Sequence, residues 1–397
     1  MRYAVRTILL VAIIVLGGCK SLPTPDPQIP EELPANANKI AIELGAGNVL
    51  IDNVRTTSDE RTVVITRNPQ DVVTIIDPPI MTSGLHVDQS TLPPLDPGYG
   101  EQRVKDTTQE PQAGGGGQFR TTCEVAWVAD VDPVVYPGAP GRSHTHTGFG
   151  NVELNAFSTH DSLFVKGNTA CRGGRINHSA YWIPTLLDTR TSKPILPYTI
   201  NVYYKNFGFD RLSIEEFPAG LRMVTGDPNA TKPQPNNSSM AHSWQCNGVM
   251  YTSIPTDQVA CPPGSDLTVA VFFNNCWDGN NLDSPDHKSH MANGPNKQVP
   301  GSNPPVYKKA CPSTHPHVLP QLSFQMVYTV TDTRYMRFVS DTNPAQPAGW
   351  TMHGDVISAW EPKFMRMWVN NCLRAGAECF SHLLGRDPDD GKLKQIY

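Results

Sequence analysis

The sequence predicts a mainly β protein, an antiparallel β-sandwich or jelly-roll-like domain with long loops, disulfides and a short C-terminal helix. Three observations predict this fold. From Phe119 onward, short β-rich runs alternate with Pro, Gly, Asn and Asp. Most of the nine cysteines lie in the C-terminal two-thirds of the chain. No alternation of strands with helical patterns occurs, which argues against a doubly wound sheet.

The N-terminus resembles a bacterial lipoprotein signal peptide. A basic start precedes an apolar run from Ile8 to Val15, and the string Leu16-Gly17-Gly18-Cys19 follows. Export machinery recognises this layout, and the run is too short to span a bilayer as a stable helix. We therefore predict a signal peptide over residues 1–19, with Cys19 lipidated and anchoring an exported chain to the cell envelope. Lys20, directly after Cys19, is compatible with sorting of the lipoprotein to the outer membrane. The rival interpretation is a chance apolar N-terminus with a core cysteine.

The next segment, residues 20–117, is predicted to be a Pro- and Gly-rich tether. Within it, short alternating apolar runs at about residues 38–90 indicate a few strands. Two interpretations stay open for them, a small β-module or strands that dock on the main domain. Residues 118–390 are predicted to form the main β-rich domain.

The predicted strands of the main domain cover the segments Thr122–Val131, Asp161–Lys166, Ala180–Leu187, Thr199–Tyr204, Gly220–Val224, Leu267–Asn274, Gln321–Thr329, Tyr335–Val339 and Trp350–Val356. One helix is predicted from Pro362 to about Arg374. Phe364, Trp368 and Cys372 recur there at four-residue intervals, and a proline is favourable in a first turn. We expect that stripe to pack in the core.

Without Cys19, the nine cysteines leave an even set of eight. In an oxidising compartment such a set most simply forms disulfides. The sequence does not fix their connectivity, and the rival zinc-thiolate site would need short C-x-x-C pairs, which the chain lacks. The simplest pairing is sequential: Cys123 with Cys171, Cys246 with Cys261, Cys276 with Cys311, and Cys372 with Cys379.

Charge and glycine content exclude two classes of function. The net charge of −5 is mild and no Lys/Arg cluster occurs, so nucleic acid is not expected as a partner. The run Gly114–Gly117 lacks the Lys-Ser/Thr of a phosphate-binding loop. It is therefore predicted to be a linker.

Histidine and aspartate residues concentrate in four short segments, Ser143–His146, Asp283–His290, His315–His317 and His353–Asp355. On a strand, residues i and i+2 point to one face. His144 and His146 are therefore placed to converge on a single ion or sugar.

Together the clusters predict a divalent-metal site for zinc or copper, because imidazole is a good ligand for both. Asp286 or Asp355 would orient the rings, and a water held by the ion would act as a nucleophile near neutral pH. The predicted metal ligands are His144, His146, His290, His315 and His353.

The predicted catalytic residues are Asp286, His287 and Asp355. An alternative chemistry needs no metal: Asp283 or Asp286 would pair with Asp355 for glycoside cleavage, while the histidines bind sugar hydroxyls. A further alternative has no chemistry at all. In it the histidines are hydrogen-bonding struts and the aspartates form turns.

Aromatic residues lie near these clusters and predict sugar binding, because an aromatic face can stack on a pyranose ring. Core packing is the alternative for each of them. The predicted substrate-binding residues are Tyr181, Trp182, Trp277 and Asp283.

Several strings resemble, in the same order, the DUF1996 family, a secreted domain of unknown function that often accompanies WSC carbohydrate-binding modules in fungi and also occurs in bacteria. The resemblance covers about Phe119 to Leu384. Thr147-Gly148 and Gly354 depart from the family pattern, and we expect these departures to affect the shape of the pocket more than its polar atoms. The strings are Ser143–Asn151, Ser179–Pro184, Gly226–Ala230, Cys276–Gly279 with Leu282–Met291, Cys311–Pro312 with Thr314–Pro316, and Trp368–Cys372.

This resemblance implies a secreted, disulfide-bearing domain met in cell-wall or polysaccharide contexts, and it brings no established reaction. Our first hypothesis is a cell-envelope hydrolase or lyase that acts on polysaccharide through a His/Asp-lined cleft. The second is a non-catalytic carbohydrate-binding lipoprotein, and the third a structural envelope protein. The expected partners are the membrane, through lipid on Cys19, and a glycan. The sequence does not predict an oligomeric state.

Overall fold

The structure is a computed structural model that describes residues 103–234, 241–298, 307–380 and 382–397, preceded by six strands. Cys19, most of the predicted signal peptide and the Pro-rich stretches at residues 20–36 and 91–102 lie outside the described residues. The predictions for those segments therefore stay predictions.

The strands are numbered in chain order. The first half contains β1 (Ile8–Leu10), β2 (Ile40–Leu44), β3 (Gly47–Ile51), β4 (Arg55–Thr57), β5 (Glu60–Thr66), β6 (Val72–Asp77), β7 (Val104–Asp106), β8 (Gln112–Ala113), β9 (Gln118–Cys123), β10 (Val125–Ala129), β11 (His146–Gly150), β12 (Ala180–Pro184), β13 (Leu186–Asp188), β14 (Lys193–Pro194) and β15 (Thr199–Lys205). The second half contains β16 (Arg222–Gly226), β17 (Ala241–Cys246), β18 (Val249–Tyr251), β19 (Asp266–Phe272), β20 (Cys276–Trp277), β21 (Met291–Ala292), β22 (Asn296–Gln298), β23 (Tyr307–Lys309), β24 (His317–Val318), β25 (Gln321–Thr329), β26 (Met336–Phe338), β27 (His353–Ile357), β28 (Ala377–Glu378), β29 (Leu383–Arg386) and β30 (Leu393–Ile396).

Two α-helices occur in the described part, α1 (His160–Val165) and α2 (Pro362–Trp368). A π-helical turn, Val369–Arg374, continues α2, so the predicted C-terminal helix is confirmed. Its stripe is core packing, since Trp368 and Cys372 are fully buried. Three short 3₁₀ turns, Gly174–Ile176, Arg211–Ser213 and Thr333–Tyr335, complete the helical structure.

The predicted strand at residues 161–166 is wrong, because this segment forms α1. Thr159 caps the helix: its hydroxyl accepts from the backbone N–H of Ser162, and the Ser162 hydroxyl accepts from the backbone N–H of Thr159. This reciprocal capping box satisfies donors that a helix start would otherwise leave unpaired. The local capping outweighs the β propensity of the run.

The chain divides into two compact units. The first comprises residues 1–82, 130–143 and 155–157, and the second comprises the rest. In the first unit, β2 and β3 form an antiparallel hairpin, and a four-stranded sheet has the order β1-β6-β5-β4. The short strands predicted at about residues 38–90 are therefore present.

The second unit is built on two large sheets. One has five strands in the order β10-β11-β12-β27-β16, all antiparallel, and the other has eight in the order β18-β17-β19-β25-β15-β9-β28-β8. They pack face to face: Phe149 and Tyr181, from the five-stranded sheet, lie with ring centroids 5.1 and 5.4 Å from that of Phe324 in the eight-stranded sheet. The antiparallel sandwich is confirmed.

Smaller sheets surround this sandwich, with the orders β14-β13-β26, β21-β20-β24, β22-β23 and β29-β30-β7. The helix α2 closes one part of the core through aromatic rings. Phe119 stacks between Tyr204 and Trp368, with centroid distances of 4.7 and 4.3 Å. Aromatic pairs of this kind add to the burial of apolar area.

All eight cysteines of the main domain form disulfides, and the predicted sequential pairing is confirmed. The bonds are Cys123–Cys171, Cys246–Cys261, Cys276–Cys311 and Cys372–Cys379. No thiolate of this set remains for a metal, so the zinc-thiolate alternative is wrong. Disulfides persist in oxidising compartments, and the domain is therefore consistent with an extracellular protein.

Candidate metal centre

Two of the predicted metal ligands are the first residues of strands in the five-stranded sheet. His146 is the first residue of β11 and His353 the first of β27, with β12 between them. Pro184 pairs with His146, and Trp182 pairs with Asp355. Because β12 and β27 are antiparallel, the residue two positions after Trp182 is level with the residue two positions before Asp355. Pro184 is therefore level with His353. His146, Pro184 and His353 form one row across three strands.

Both histidines point away from the core of the sandwich. A Cβ atom placed on Gly354 would lie 3.1 Å from Cγ1 of Val271 and 3.4 Å from the ring of Phe324, both in the eight-stranded sheet. Gly354 therefore faces the core, and because side chains alternate along a strand, His353 and Asp355 face the outer side. This alternation places the two imidazoles over Pro184.

Three imidazoles converge on this outer face. The Nε2 atom of His353 lies 3.1 Å from Nε2 of His144 and 3.4 Å from Nε2 of His146. A tetrahedral zinc ion bound at about 2.0–2.1 Å would hold its nitrogen ligands about 3.3 Å apart. The observed spacing matches that requirement. Among the described residues, these three histidines are the group whose ligand atoms all lie within 4.8 Å of one another.

The backbone fixes which nitrogen of His353 carries the proton. Its Nδ1 atom lies 2.8 Å from the carbonyl oxygen of Thr351, which can only accept a hydrogen bond. Nδ1–H therefore donates to Thr351, and the Nε2 atom presents its lone pair to His144 and His146. A hydrogen bond of this kind sets the tautomer and orientation of metal-binding histidines.

Burial disfavours the charged form of the His144 imidazole. Desolvation, with a smaller contribution from the neighbouring His353, lowers the pKa of His144 to about 3. His146 is fully buried and His353 nearly so, whereas His144 retains some exposure. A neutral imidazole is the form that binds metal, and the partly exposed edge of His144 provides access from solvent.

The structure separates the remaining predicted ligands from this group. Nε2 of His290 lies 2.7 Å from the carbonyl of Arg222, and Nε2 of His315 lies 2.9 Å from the carbonyl of Ser289. Each of these Nε2 atoms therefore carries a proton and donates it to a carbonyl. In His353 the Nε2 atom instead keeps a lone pair. In this structure His290 and His315 brace loops.

The loop at residues 282–290 lies along the outer edge of β16. The backbone N–H groups of Arg222 and Val224 donate to the carbonyls of Leu282 and His287, at 2.9 and 3.1 Å. Within the loop, Nδ1 of His287 lies 2.9 Å from Oδ1 of Asp283. The loop thus extends the five-stranded sheet, with Asp283 and His287 joined on it.

Asp286 organises the turn of that loop. Its Oδ1 accepts from the backbone N–H groups of Ser289 and Lys288 at 2.8 and 3.1 Å, and from the hydroxyl of Ser284 at 2.8 Å. These hydrogen bonds, that of the Ser289 N–H above all, hold the pKa of Asp286 well below its usual range. The carboxylate is therefore ionised and occupied by local donors.

Asp355 and the predicted sugar-binding aromatics have different surroundings. Asp355 is buried on the same face as His353. Tyr181 and Trp182 are fully buried, and the hydroxyl of Tyr181 lies 3.0 Å from that of Tyr204 in the core. Trp277 is only partly buried, and its Nε1–H donates to the carbonyl of Asn281 at 2.6 Å.

Sequence patterns gave no sign of the residues that hold His353 in place. Gly226 pairs with His353 in the β16–β27 ladder, and the Thr351 carbonyl is a backbone group that every residue carries. The string Gly226–Ala230 contributed only to the family resemblance, and the pairing of Gly226 with His353 depends on the register of strands distant in sequence.

Comparison with known proteins gives one match. The model of a family described as Domain of unknown function (DUF1996) matches residues 132–360, which is more than half of the 397 residues and includes all three converging histidines. No curated protein and no solved structure matches the chain. Within the part of the chain that the structure describes, no helix has the length and apolar character needed to cross a membrane. The match over most of the sandwich, with the disulfides and strands in their expected places, shows that this chain belongs to the DUF1996 family.

Proposed function

We propose that this protein is a metal-dependent, cell-envelope hydrolase or lyase that acts on polysaccharide, with His144, His146 and His353 holding a divalent zinc or copper ion. The observation that carries the proposal is the spacing of the three Nε2 atoms, 3.1 and 3.4 Å from His353. Three protein ligands leave a fourth position open, as in catalytic rather than structural zinc sites.

The open position supplies the chemistry. A zinc ion held by the three imidazoles would lower the pKa of a bound water to about 7, which would make a nucleophile available at neutral pH. Asp355 is the carboxylate on the same face, two residues after His353, and we assign proton transfer to it. The second cluster around Asp283, Asp286 and His287 is internally hydrogen-bonded, and in this proposal it supports the edge of the site.

The substrate class and the location have separate support. The resemblance described above implies cell-wall or polysaccharide contexts for the family. The four disulfides support an oxidising compartment, and the N-terminal sequence supports lipid anchoring through Cys19, in our proposal at the outer membrane.

A non-catalytic carbohydrate-binding role is the second candidate, and one observation favours it. The partly exposed indole of Trp277 is fixed by Asn281 and flanked by His317, with ring centroids 5.6 Å apart. Both oxygens of Glu215 lie 3.0 Å from Nδ1 of His317. A rigid aromatic face with polar neighbours is suited to a sugar ring.

Two measurements test the proposal. The mature chain, purified without a histidine tag, should contain about one zinc or copper ion per molecule, and His146→Ala with His353→Ala should lose it. His315→Ala, a predicted ligand that lies outside the three-histidine group, is the matched control and should keep it. Release of products from cell-wall glycans should stop when the ion is removed. Glycan binding without metal-dependent product release would favour the second candidate, and a metal-free wild type would overturn the first.

A further inference from the structure

Two tryptophans lie on the outer face of the five-stranded sheet, and only one has its polar atom satisfied. Trp127, on β10, and Trp182, on β12, have ring centroids 6.4 Å apart. The Nε1–H of Trp127 donates to the carbonyl of Asn151 at 3.2 Å. The Nε1–H of Trp182 is buried and has no hydrogen-bond partner among the described residues.

Trp182 stands next to the histidine row. It pairs with Gly148 on one side and with Asp355 on the other. Gly148 follows His146 by two positions and Asp355 follows His353 by two, and same-face residues on a strand are about 7 Å apart. An indole side chain spans that distance. Trp182 therefore shares the outer face with His146 and His353, in the adjacent row.

A buried N–H without an acceptor is unfavourable, because it has lost its hydrogen bonds to water and gained none in return. Native proteins leave few such groups, and each that remains calls for an explanation, such as local strain, a catalytic role or a bound water or ion. Trp182 is fully buried, so its ring has no face for stacking on a sugar. Its N–H, also buried, is the one polar group of the side chain and still lacks an acceptor among the described residues.

The charge of the site indicates which ligand would accept that hydrogen bond. Three neutral imidazoles leave both positive charges of a divalent ion uncompensated, and Asp355 offsets at most one of them. An anionic oxygen ligand would balance the remaining charge. Hydrogen bonds to ionised acceptors are also stronger than those between neutral groups.

We propose that Trp182 is the hydrogen-bond donor of this site, and that its Nε1–H holds a carboxylate oxygen of the ligand next to the ion bound by His144, His146 and His353. This inference rests on the proposed function and narrows its substrate class to acidic glycans that carry carboxylates. Trp182 acts as a binding residue, whereas Trp127, already bonded to Asn151, only packs beside it.

The test uses the mature protein loaded with Co²⁺, whose visible spectrum reports the ligands of the ion. Acetate represents the carboxylate, and imidazole is a neutral ligand without oxygen. Trp182→Phe should weaken acetate binding about tenfold and leave imidazole binding within twofold of wild type. Trp127→Phe is the matched control and should bind both ligands as the wild type does.

Each other outcome has a defined meaning. Equal acetate affinity in wild type and Trp182→Phe overturns the inference and leaves the metal site intact. An equal loss for acetate and imidazole shows that Trp182 is only structural, which also overturns it. Absence of Co²⁺ binding overturns both this inference and the proposed function.

A second measurement covers the case in which Trp182→Phe does not fold. The wild type contains seven tryptophans, and its ¹⁵N-labelled, zinc-loaded form should show an indole N–H signal that moves downfield on addition of acetate. That signal should still move in Trp127→Phe. Indole signals that stay unchanged as acetate saturates the site would overturn the inference.

Discussion

Gly226 lies against His353 so closely that a side chain has no room there. A Cβ atom on Gly226 would lie 2.8 Å from the Cα of His353 and would also strike the carbonyl oxygen of Met352. The backbone of Gly226 has a φ of +81°, which L-residues rarely adopt. Glycine at this position therefore sets how close β16 comes to the strand that carries His353.

Gly226→Ala is expected to displace His353 and weaken zinc binding about tenfold or more, because misplacing a group that supports a metal ligand has effects of this size. The measurement is competitive zinc titration against a chromophoric chelator. Zinc affinity equal to wild type in a folded Gly226→Ala protein would contradict this role.

Gly248→Ala is the matched control. Gly248 has a nearly identical φ of +80°, and a Cβ atom placed on it would meet no described residue within 4 Å. Its substitution therefore carries the backbone penalty of about 1–2 kcal/mol without the clash. We expect Gly248→Ala to lower the free energy of unfolding in urea and to leave zinc affinity unchanged.

The fold could be predicted where local pattern decides it. The alternating run Gln321–Thr329 forms β25 with the predicted bounds. The order of the cysteines along the chain likewise predicted the disulfide pairing that the structure shows. The prediction failed at α1, where one capping pair, Thr159 with Ser162, determined the structure. The π-helical turn after Trp368 was not predicted either, because its hydrogen-bond spacing has no distinct sequence period.

The site could be predicted only in part, because one half of it is local and the other half is not. His144 and His146 are neighbours in sequence, so their spacing indicated a common face. His353 lies 207 positions from His146, and it joins them through the order β11-β12-β27 and the register at Pro184. From the sequence, His290 and His315 were predicted as ligands on the same footing as His353. Only the tertiary structure shows that their Nε2 atoms donate to carbonyls.

Zinc is expected to stabilise the folded protein, because an unfolded chain does not hold the three imidazoles together. At a free zinc concentration of about 100 times the Kd, the free energy of unfolding should rise by about 2.7 kcal/mol. The measurement is urea unfolding with and without zinc. The variant His144→Ala/His146→Ala/His353→Ala should show no difference between the two conditions, and an equal zinc effect in this variant would place the binding elsewhere.

The four disulfides are expected to contribute unequally, because a crosslink that closes a longer loop restricts the unfolded chain more. The Cys123–Cys171 bond spans 48 positions and the Cys372–Cys379 bond spans 7. Replacing both cysteines by alanine should cost about 4 kcal/mol for the first bond and about 2 kcal/mol for the second on this entropic account. Denaturant unfolding of the two double variants measures the difference, and a larger loss at Cys372–Cys379 would point to native-state packing instead.

Asp286 is expected to make the loop at residues 282–290 sensitive to acid. The backbone N–H of Ser289, with further donors on Ser284 and Lys288, holds its pKa well below the usual range. A carboxyl whose pKa is lower in the folded than in the unfolded state stabilises the fold above the unfolded value of about 3.9, and that stabilisation is lost as the pH falls toward the folded value. Asp286→Asn should therefore lower the melting temperature at pH 7 and approach wild type progressively below about pH 4.

Because Asp286 is exposed, salt will screen part of the effect, but the fixed N–H groups should preserve its direction. A difference in melting temperature that stays constant from pH 7 to pH 3 would show that the aspartate shapes the turn by geometry alone and that its charge contributes nothing.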